Sequence, residues 1–120
     1  MIHTDLPIHR TGVRLLSLAV EVQQHMPRGV KRSLGDKLAH HCIEMLDLMA
    51  MANATRQGER MQHLRALMAR HRAMLVLLRV SVDARYISTK RWASAIELLD
   101  SIGKQAHGWI NKTANKAPAA

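Results

Sequence analysis

Arg65, Arg72 and Arg79 recur at every seventh residue in the segment LRALMARHRAMLVLLRV, residues 64–80. In a helix this spacing places the three guanidinium groups on one side, about 10 Å apart, beside a row of apolar residues. Like charges in a row repel one another unless an anion lies nearby, and guanidinium groups bind phosphate well. These residues therefore suit the electrostatic binding of a polyanion. The alternative is that they only cover a buried helix, with their charged heads in water.

The charge around this row is not balanced by acidic residues. Residues 56–91 contain nine basic residues and two acidic ones, so this segment carries +7 of the formal net charge of +9. A second basic cluster follows Met26. Nucleic acid is the commonest partner of such an excess, and with so few aromatic residues we expect contact with its backbone rather than its bases. The candidate residues for binding nucleic acid or a protein partner are Arg28, Lys31, Arg32, Arg65, Arg72, Arg79, Arg85, Lys90 and Arg91.

The eight histidines raise the question of a metal site. His40 and Glu44 are four residues apart, but no Glu-x-x-His or His-Glu-x-x-His motif occurs. Covalent haem attachment needs Cys-x-x-Cys-His, and Cys42 is the only cysteine. We therefore predict no metal and no cofactor, and we expect His41 and His71 to be partly buried, hydrogen-bonded packing residues.

The carboxylates give no sign of an acid-base pair, because all nine are scattered singly along the chain. One all-helical enzyme class, the chorismate mutases, clamps a dicarboxylate with Arg and Lys from several helices. This chain has the arginines without a matching arrangement of acid, amide and base. We predict that the protein is not an enzyme. The alternatives are a small helical enzyme of the chorismate mutase kind and a structural bundle whose charge only keeps it soluble.

Four amphipathic segments must position these residues, since apolar residues recur at helical spacing and strand-forming residues are scarce. The predicted fold is all-α, an antiparallel up-down-up-down four-helix bundle. The bundle domain is predicted over residues 8–111, with flexible ends at residues 1–7 and 112–120. Ser33 is the predicted N-cap of the second helix, with Asp36 at its N3 position, and Ser88-Thr89 provides the N-cap of the fourth.

The third helix has the most regular apolar seam. Its predicted core positions are Met61, Leu64, Met68, His71, Leu75, Leu78 and Val82, a three-four heptad pattern. Several helices also carry a second apolar row, which predicts that they bury more than one face in a homo-oligomer. The second rows are Leu16 and Val20, Leu46 and Met49, and Leu67 and Met74.

The N-terminal segment MIHTDLPIHRTG lacks the pattern of a signal peptide. No run approaches the roughly 20 apolar residues that a membrane span needs. A single cysteine fits a reducing compartment. We therefore expect a cytoplasmic protein that does not enter a membrane.

Three stretches resemble the accessory variability determinant (Avd) proteins of diversity-generating retroelements. These proteins belong to a four-helix-bundle group that includes proteins encoded in ribosomal RNA intervening sequences. The stretches are MPRGVKRSLGDKL at residues 26–38, VSVDARYISTKRW at 80–92 and IGKQAHGWI at 102–110. The similarity spans residues 13–110. The sequence departs from the family in having Met26 where an aromatic residue often precedes the proline, and in having no Phe.

The resemblance implies a fold, partners and a function. Members form a pentameric barrel of four-helix protomers, bind the retroelement's reverse transcriptase and nucleic acid, and support mutagenic copying of template RNA into cDNA without being enzymes. The expected partners are therefore a reverse transcriptase, RNA or DNA, and further copies of this chain. The positions that stand where the family tends to be basic are Arg28, Arg79, Arg85, Lys90 and Arg91.

Overall fold

The computed structural model describes residues 2–115, which form four helices and contain no strand. Helix α1 spans Pro7–His25, after a short 3-10 turn at His3–Asp5. Helix α2 is a continuous run of a first turn at Arg28–Val30, a π-helical segment at Lys31–Gly35 and a long part at Asp36–Ala54. Helix α3 spans Gln57–Asp83, and α4 spans Thr89–Asn115. The all-α prediction is confirmed.

Each helix packs against the helices before and after it in the chain, and α4 returns to pack against α1. Neighbouring helices run antiparallel, as contacts between residues far apart in sequence show: Arg91 reaches Glu21, and Gln105 reaches Thr11. The result is a four-helix bundle measuring 54 × 22 × 20 Å over the described residues. None of the described helices combines the length and the apolar character needed to cross a membrane.

The core is built mainly from leucine and methionine, which suit helices and fill irregular gaps. Its largest fully buried apolar side chains are Leu15, Leu38, Met45, Met49, Leu64, Leu67, Met74, Leu99 and Ile102. Among them His71 is buried, and its Nε2–H donates to the carbonyl oxygen of Leu99 at 2.7 Å. His41 is half-buried and accepts a hydrogen bond from Arg70 at 3.2 Å. The prediction that both histidines pack within the bundle is confirmed.

The predicted core seam of α3 is wrong at four of its seven positions. Leu64, His71 and Leu78 are buried as expected, but the other predicted row lies half-buried at the flank. The buried row in its place is Leu67, Met74 and Ser81, and the flanking row is Met61, Met68, Leu75 and Val82. Ser81 can occupy the core because its hydroxyl donates to the carbonyl of Leu77 at 2.7 Å. Leu67 and Met74, which we assigned to an oligomer contact, therefore belong to the protomer core, as does Met49.

The predicted N-cap of α4 is confirmed, because the Ser88 hydroxyl accepts a hydrogen bond from the backbone N–H of Arg91 at 3.1 Å. The predicted N-cap of α2 is wrong. The helical run begins directly after Pro27, whose fixed φ suits a helix start and whose carbonyl accepts from the next turn. Ser33 lies inside that run and donates back to the carbonyl of Gly29.

The helices extend somewhat beyond the predicted domain boundaries. Helix α1 begins at Pro7, and α4 continues past residue 111 to Asn115. The flexibility predicted for residues 1–7 and 112–120 stays a prediction, and residues 1 and 116–120 lie outside the described residues.

Candidate functional site

The antiparallel arrangement gathers most of the predicted basic residues at one end of the bundle. The C-termini of α1 and α3 and the N-termini of α2 and α4 meet there, across a section about 20 Å wide. Two segments distant in sequence, residues 28–32 and 85–91, thereby form one surface. We call this surface the basic end; its residues are Arg28, Lys31, Arg32, Arg85, Lys90 and Arg91.

The acidic groups close to the basic end already have partners. Glu21 Oε1 lies 2.7 Å from Arg91 Nη2, Asp83 Oδ2 lies 3.3 Å from Arg79 Nε, and Asp36 Oδ1 accepts from the Gln23 amide. Glu21 therefore compensates the charge of Arg91, which sequence reasoning counted as free. Among residues 2–115, five cations of the basic end make no ion pair: Arg28, Lys31, Arg32, Arg85 and Lys90.

Gln23 of α1 holds the start of α2 in place. Its amide nitrogen donates to the carbonyl oxygen of Lys31 at 3.0 Å and to Asp36 Oδ1 at 2.6 Å. Gly35 leaves room for this side chain, since a Cβ at that position would lie 2.6 Å from Gln23 Cγ. Gly35 thus has a physical role, which is to let α1 and α2 approach behind the basic residues.

Arg85 occupies a backbone conformation that usually belongs to glycine. Its φ is 63°, in the turn that ends α3. The N–H of Tyr86 donates to Ser81 O and that of Arg85 to Val82 O, which is the hydrogen-bond pattern of a Schellman motif with Arg85 at the left-handed position. An arginine there costs on the order of 1 kcal/mol relative to glycine. Such strain at a charged, exposed residue points to a role for the side chain.

Arg65, Arg72 and Arg79, the arginine row, run along the side of α3 that faces α4. Arg79 fixes this orientation because its guanidinium carbon lies 5.8 Å from the centre of the Trp92 ring on α4. Arg65 and Arg72 are exposed and form no ion pair among the described residues. Arg65 and Arg79 are fourteen positions apart, so the row extends over about 21 Å of helix and ends at the basic end. Arg79 thus lies next to the basic end, and Arg65 lies farthest from it along α3.

The other flank of α3 is also cationic. Arg70 Nη1 donates to His41 Nδ1 on α2. Burial lowers the pKa of His41, and the positive charge of Arg70 lowers it further, so the neutral ring that accepts this hydrogen bond is favoured. Lys37 and His40 lie beside this pair along the same groove.

Two apolar patches interrupt the polar surface. On α3, Val76 and Val80 are 63% and 50% exposed and lie on the outward side; this is the α3 patch. On the face that α1 and α2 share, Val13, Val20 and Ile43 are 43–53% exposed; this is the α1–α2 patch. The described chain therefore leaves apolar side chains exposed on two separate faces of the bundle.

A cleft that sequence reasoning missed lies at the opposite end of the bundle. It has a volume of about 410 Å³, and we call it the far-end cleft. Its lining residues are Leu6, Pro7, Ile8, Arg60, Gln105, Gly108, Trp109, Lys112 and Thr113. The sequence contains no motif for it, because Trp109 fits the apolar seam of α4 and its other walls come from α1 and α3.

The groups with metal-binding or nucleophilic chemistry are dispersed within the described part of the chain. No three His, Cys, Asp or Glu side chains in residues 2–115 lie close enough together to hold a metal ion. Cys42 is buried, and burial raises the pKa of its thiol to about 12. The uncharged thiol therefore prevails at neutral pH.

Fold and surface together define a small, basic four-helix-bundle protein in which seven cations without an ion pair lie at the basic end and along the arginine row, and others are spread over the remaining described surface. The chain belongs to the bAvd-like family, whose sequence model matches residues 8–113. This match confirms the predicted resemblance to Avd proteins and includes every residue of the basic end and the arginine row. No curated protein matches the sequence.

Proposed function

We propose that this protein is a non-catalytic accessory protein of a diversity-generating retroelement. In this role it binds the reverse transcriptase and the template RNA or cDNA through its basic surface and so supports mutagenic cDNA synthesis. Membership of the bAvd-like family supports the association with such an element. The observation that supports the binding role is the concentration of basic residues at the basic end and along the arginine row, where seven of nine cations have no acidic partner among the described residues.

The shape of this surface favours a large anion. The basic end is about 20 Å across and the arginine row adds about 21 Å along α3, so one phosphate backbone can contact both. Arg65 and Arg72 are exposed on the outside of the bundle instead of converging on a pocket between helices. This arrangement suits a polyanion better than the small dicarboxylate of a mutase. Binding would come mainly from the release of counterions from the backbone, with little dependence on base sequence.

A salt titration with charge-reversed variants tests the nucleic-acid role. We expect the affinity for single-stranded RNA or DNA to fall steeply with salt, with a slope of roughly 0.7–0.9 per phosphate contact. Arg28→Glu and Arg72→Glu should each weaken binding and reduce that slope. Lys104→Glu makes the same change of charge at an exposed position on α4 outside this surface, and should have a smaller effect. Equal effects of all three variants would show attraction by net charge alone and would contradict a localised binding surface.

The contact with the polymerase needs a separate experiment. We expect the protein to co-purify with the reverse transcriptase of the same element after nuclease treatment, since the two proteins should touch directly. The control is the same preparation at high salt, where a contact made by exposed cations weakens. Loss of co-purification on nuclease treatment would mean that nucleic acid alone links the two proteins.

The oligomer in this proposal is a ring of five protomers, the number expected for an Avd-like barrel. Support comes from the two apolar patches, which lie on different faces. If the α1–α2 patch of one copy covers the α3 patch of the next, the contact is head-to-tail and can close into a ring. A contact of either patch with itself would instead stop at a dimer.

Light scattering on patch variants distinguishes these assemblies. Ile43→Glu and Val76→Glu each alter an exposed side chain, so each variant should fold. Each should be monomeric alone, because every head-to-tail contact needs both patches. A mixture of the two should form a dimer, since one variant retains the intact α3 patch and the other the intact α1–α2 patch. A monomeric wild-type protein at micromolar concentration would contradict the ring.

A further inference from the structure

The far-end cleft combines an aromatic surface with cations at the end of the bundle opposite the basic end. Its volume of about 410 Å³ falls within the roughly 300–1,000 Å³ typical of small-molecule sites. Apolar walls come from Leu6, Pro7 and Ile8 at the start of α1. The polymerase and polyanion contacts proposed above make no use of it.

Trp109 and Arg60 provide a stacking surface. The guanidinium carbon of Arg60 lies 5.8 Å from the centre of the Trp109 ring. Arg60 Nε donates to the carbonyl oxygen of Ala52 at 2.8 Å, which ties the guanidinium to the C-terminal end of α2. A planar aromatic ring can stack on the indole or on this fixed guanidinium plane.

The cleft also carries uncompensated positive charge. Neither Arg60 nor Lys112 forms an ion pair within residues 2–115. The Arg60 hydrogen bond to Ala52 uses Nε, so its terminal nitrogens remain as donors. Two cations at the rim of an aromatic cleft favour a ligand that carries an anionic group beside its ring.

Gln105 also lines the cleft. Its amide nitrogen donates to the hydroxyls of Thr11 and Ser101, at 3.2 and 3.1 Å. These two contacts use both N–H groups, so the amide orientation is set and Oε1 remains to accept. An acceptor suits the exocyclic amino group or ring N–H of a base.

Gly108 keeps this space open. A Cβ at that position would meet no atom within 4 Å, so the wall beside Trp109 has no side chain. Glycine inside a helix costs about 1 kcal/mol relative to alanine, so a larger residue at position 108 would favour the helix but could extend into the cleft that Gly108 lines.

We infer that the far-end cleft binds a single nucleotide, with the base stacked at Trp109 and Arg60 and the phosphate held by Arg60 and Lys112. The same chemistry is presented by a free nucleoside monophosphate and by the phosphorylated end of a strand. This site lies roughly 30 Å from the basic end, which is the rise of α4 between Arg91 and Trp109, and does not rest on the function proposed above.

Tryptophan fluorescence can report on the cleft directly. The chain has only two tryptophans, so Trp92→Phe leaves Trp109 as the single indole. We expect nucleoside monophosphates to quench its emission saturably, while ribose 5-phosphate and octanoate do not. In the same background, Lys112→Ala should weaken the apparent affinity by roughly 1.5- to fivefold, the loss of one exposed charge contact.

Variants at Gly108 separate binding from folding. Gly108→Leu should fill the cleft and abolish saturable quenching, although it should raise helix stability. Gly108→Ala gains the same backbone benefit with a smaller side chain and should still bind. Thermal unfolding of each variant confirms that it is folded. Equal quenching in the Leu and Ala variants, or quenching by octanoate alone, would overturn the assignment.

The source of the nucleotide is determined by competition. A 5′-phosphorylated oligonucleotide that displaces the monophosphate supports binding of strand ends, whereas failure to displace it supports binding of free nucleotides. Arg28→Glu and Arg72→Glu should leave the quenching unchanged, so a failure of the polyanion proposal would not remove this site. No saturable quenching by either ligand would overturn it.

Discussion

Gln23 and Lys31 join the first two helices at the base of the basic end, through a 3.0 Å hydrogen bond from the Gln23 amide to the Lys31 carbonyl oxygen. That carbonyl lies in the π-helical segment, and it also accepts the backbone N–H of Asp36. The same Gln23 amide donates to the Asp36 carboxylate. One side chain of α1 thereby determines where the first turns of α2 lie, and with them the position of Arg28 and Arg32.

Gly35→Ala should destabilise this junction, because the added Cβ would lie 2.6 Å from Gln23 Cγ and would displace the side chain. Gly29→Ala is the matched control, since its Cβ would meet nothing within 4 Å in the same helical run. We expect Gly29→Ala to stabilise the protein slightly. The free energy of unfolding of Gly35→Ala should be about 2 kcal/mol lower than that of this control, because two hydrogen bonds of Gln23 are lost. Urea denaturation measures the difference. Equal stabilities would mean that Gln23 moves aside without cost.

Much of the fold could be predicted from the sequence because helix periodicity is a local property. Ser88, for example, marks the start of α4, and its predicted role as N-cap is confirmed. The seam of α3 was harder, since two apolar rows overlap and either could face the core. Met68 and Leu75 are as apolar as Leu67 and Met74, so periodicity alone could not choose between them. The packing of α3 against α2 and α4 determines which of the two rows is buried.

The sequence could predict which residues form the candidate site, but it could not predict which of them are neutralised by ion pairs. The local excess of cations identified the site residues. The ion pair between Arg91 and Glu21 could not be identified in this way, because the two residues are 70 positions apart. Such a contact depends on how α1 and α4 meet. The far-end cleft could not be predicted from the sequence for the same reason, since Arg60 and Trp109 come together only in the folded bundle.

Lys90 and Arg91 are adjacent in sequence but should behave differently. Lys90 has no ion-pair partner among the described residues, so Lys90→Ala should reduce the salt dependence of nucleic-acid binding by roughly one phosphate contact. Arg91→Ala should change that slope less, because Glu21 already compensates its charge. It should instead lower stability by about 0.2–1 kcal/mol, the usual range for an exposed pair. Anisotropy titrations and thermal unfolding provide the two readouts.

The histidine environment predicts a loss of stability in acid. Burial lowers the pKa of His41 in the folded protein below its ordinary 6.5, and Arg70 adds to the effect. As the pH falls below 6.5, the unfolded chain therefore takes up a proton before the folded one, and the equilibrium shifts toward unfolding. Above that pH both states are neutral at His41, so this residue adds no pH dependence.

A double variant tests whether the histidines cause this loss of stability in acid. Burial, followed by the nearby His3, lowers the pKa of His9 as well, so His9 acts in the same direction. His9→Gln/His41→Gln should therefore lose less stability than the wild type between pH about 7 and about 5. Urea midpoints across that range give the comparison. An unchanged acid sensitivity would place its source in other groups.

Arg85 offers a variant that should gain stability while losing function. Its φ of 63° is favourable for glycine, so Arg85→Gly should raise the free energy of unfolding by about 1 kcal/mol. The same change removes an exposed cation of the basic end and should weaken RNA or DNA binding. Arg85→Ala removes that cation without relieving the backbone, so it should bind as weakly without becoming more stable. If Arg85→Gly bound nucleic acid as well as the wild type, the strained arginine would have no role in binding, and the basic end would have to act through its other four unpaired cations.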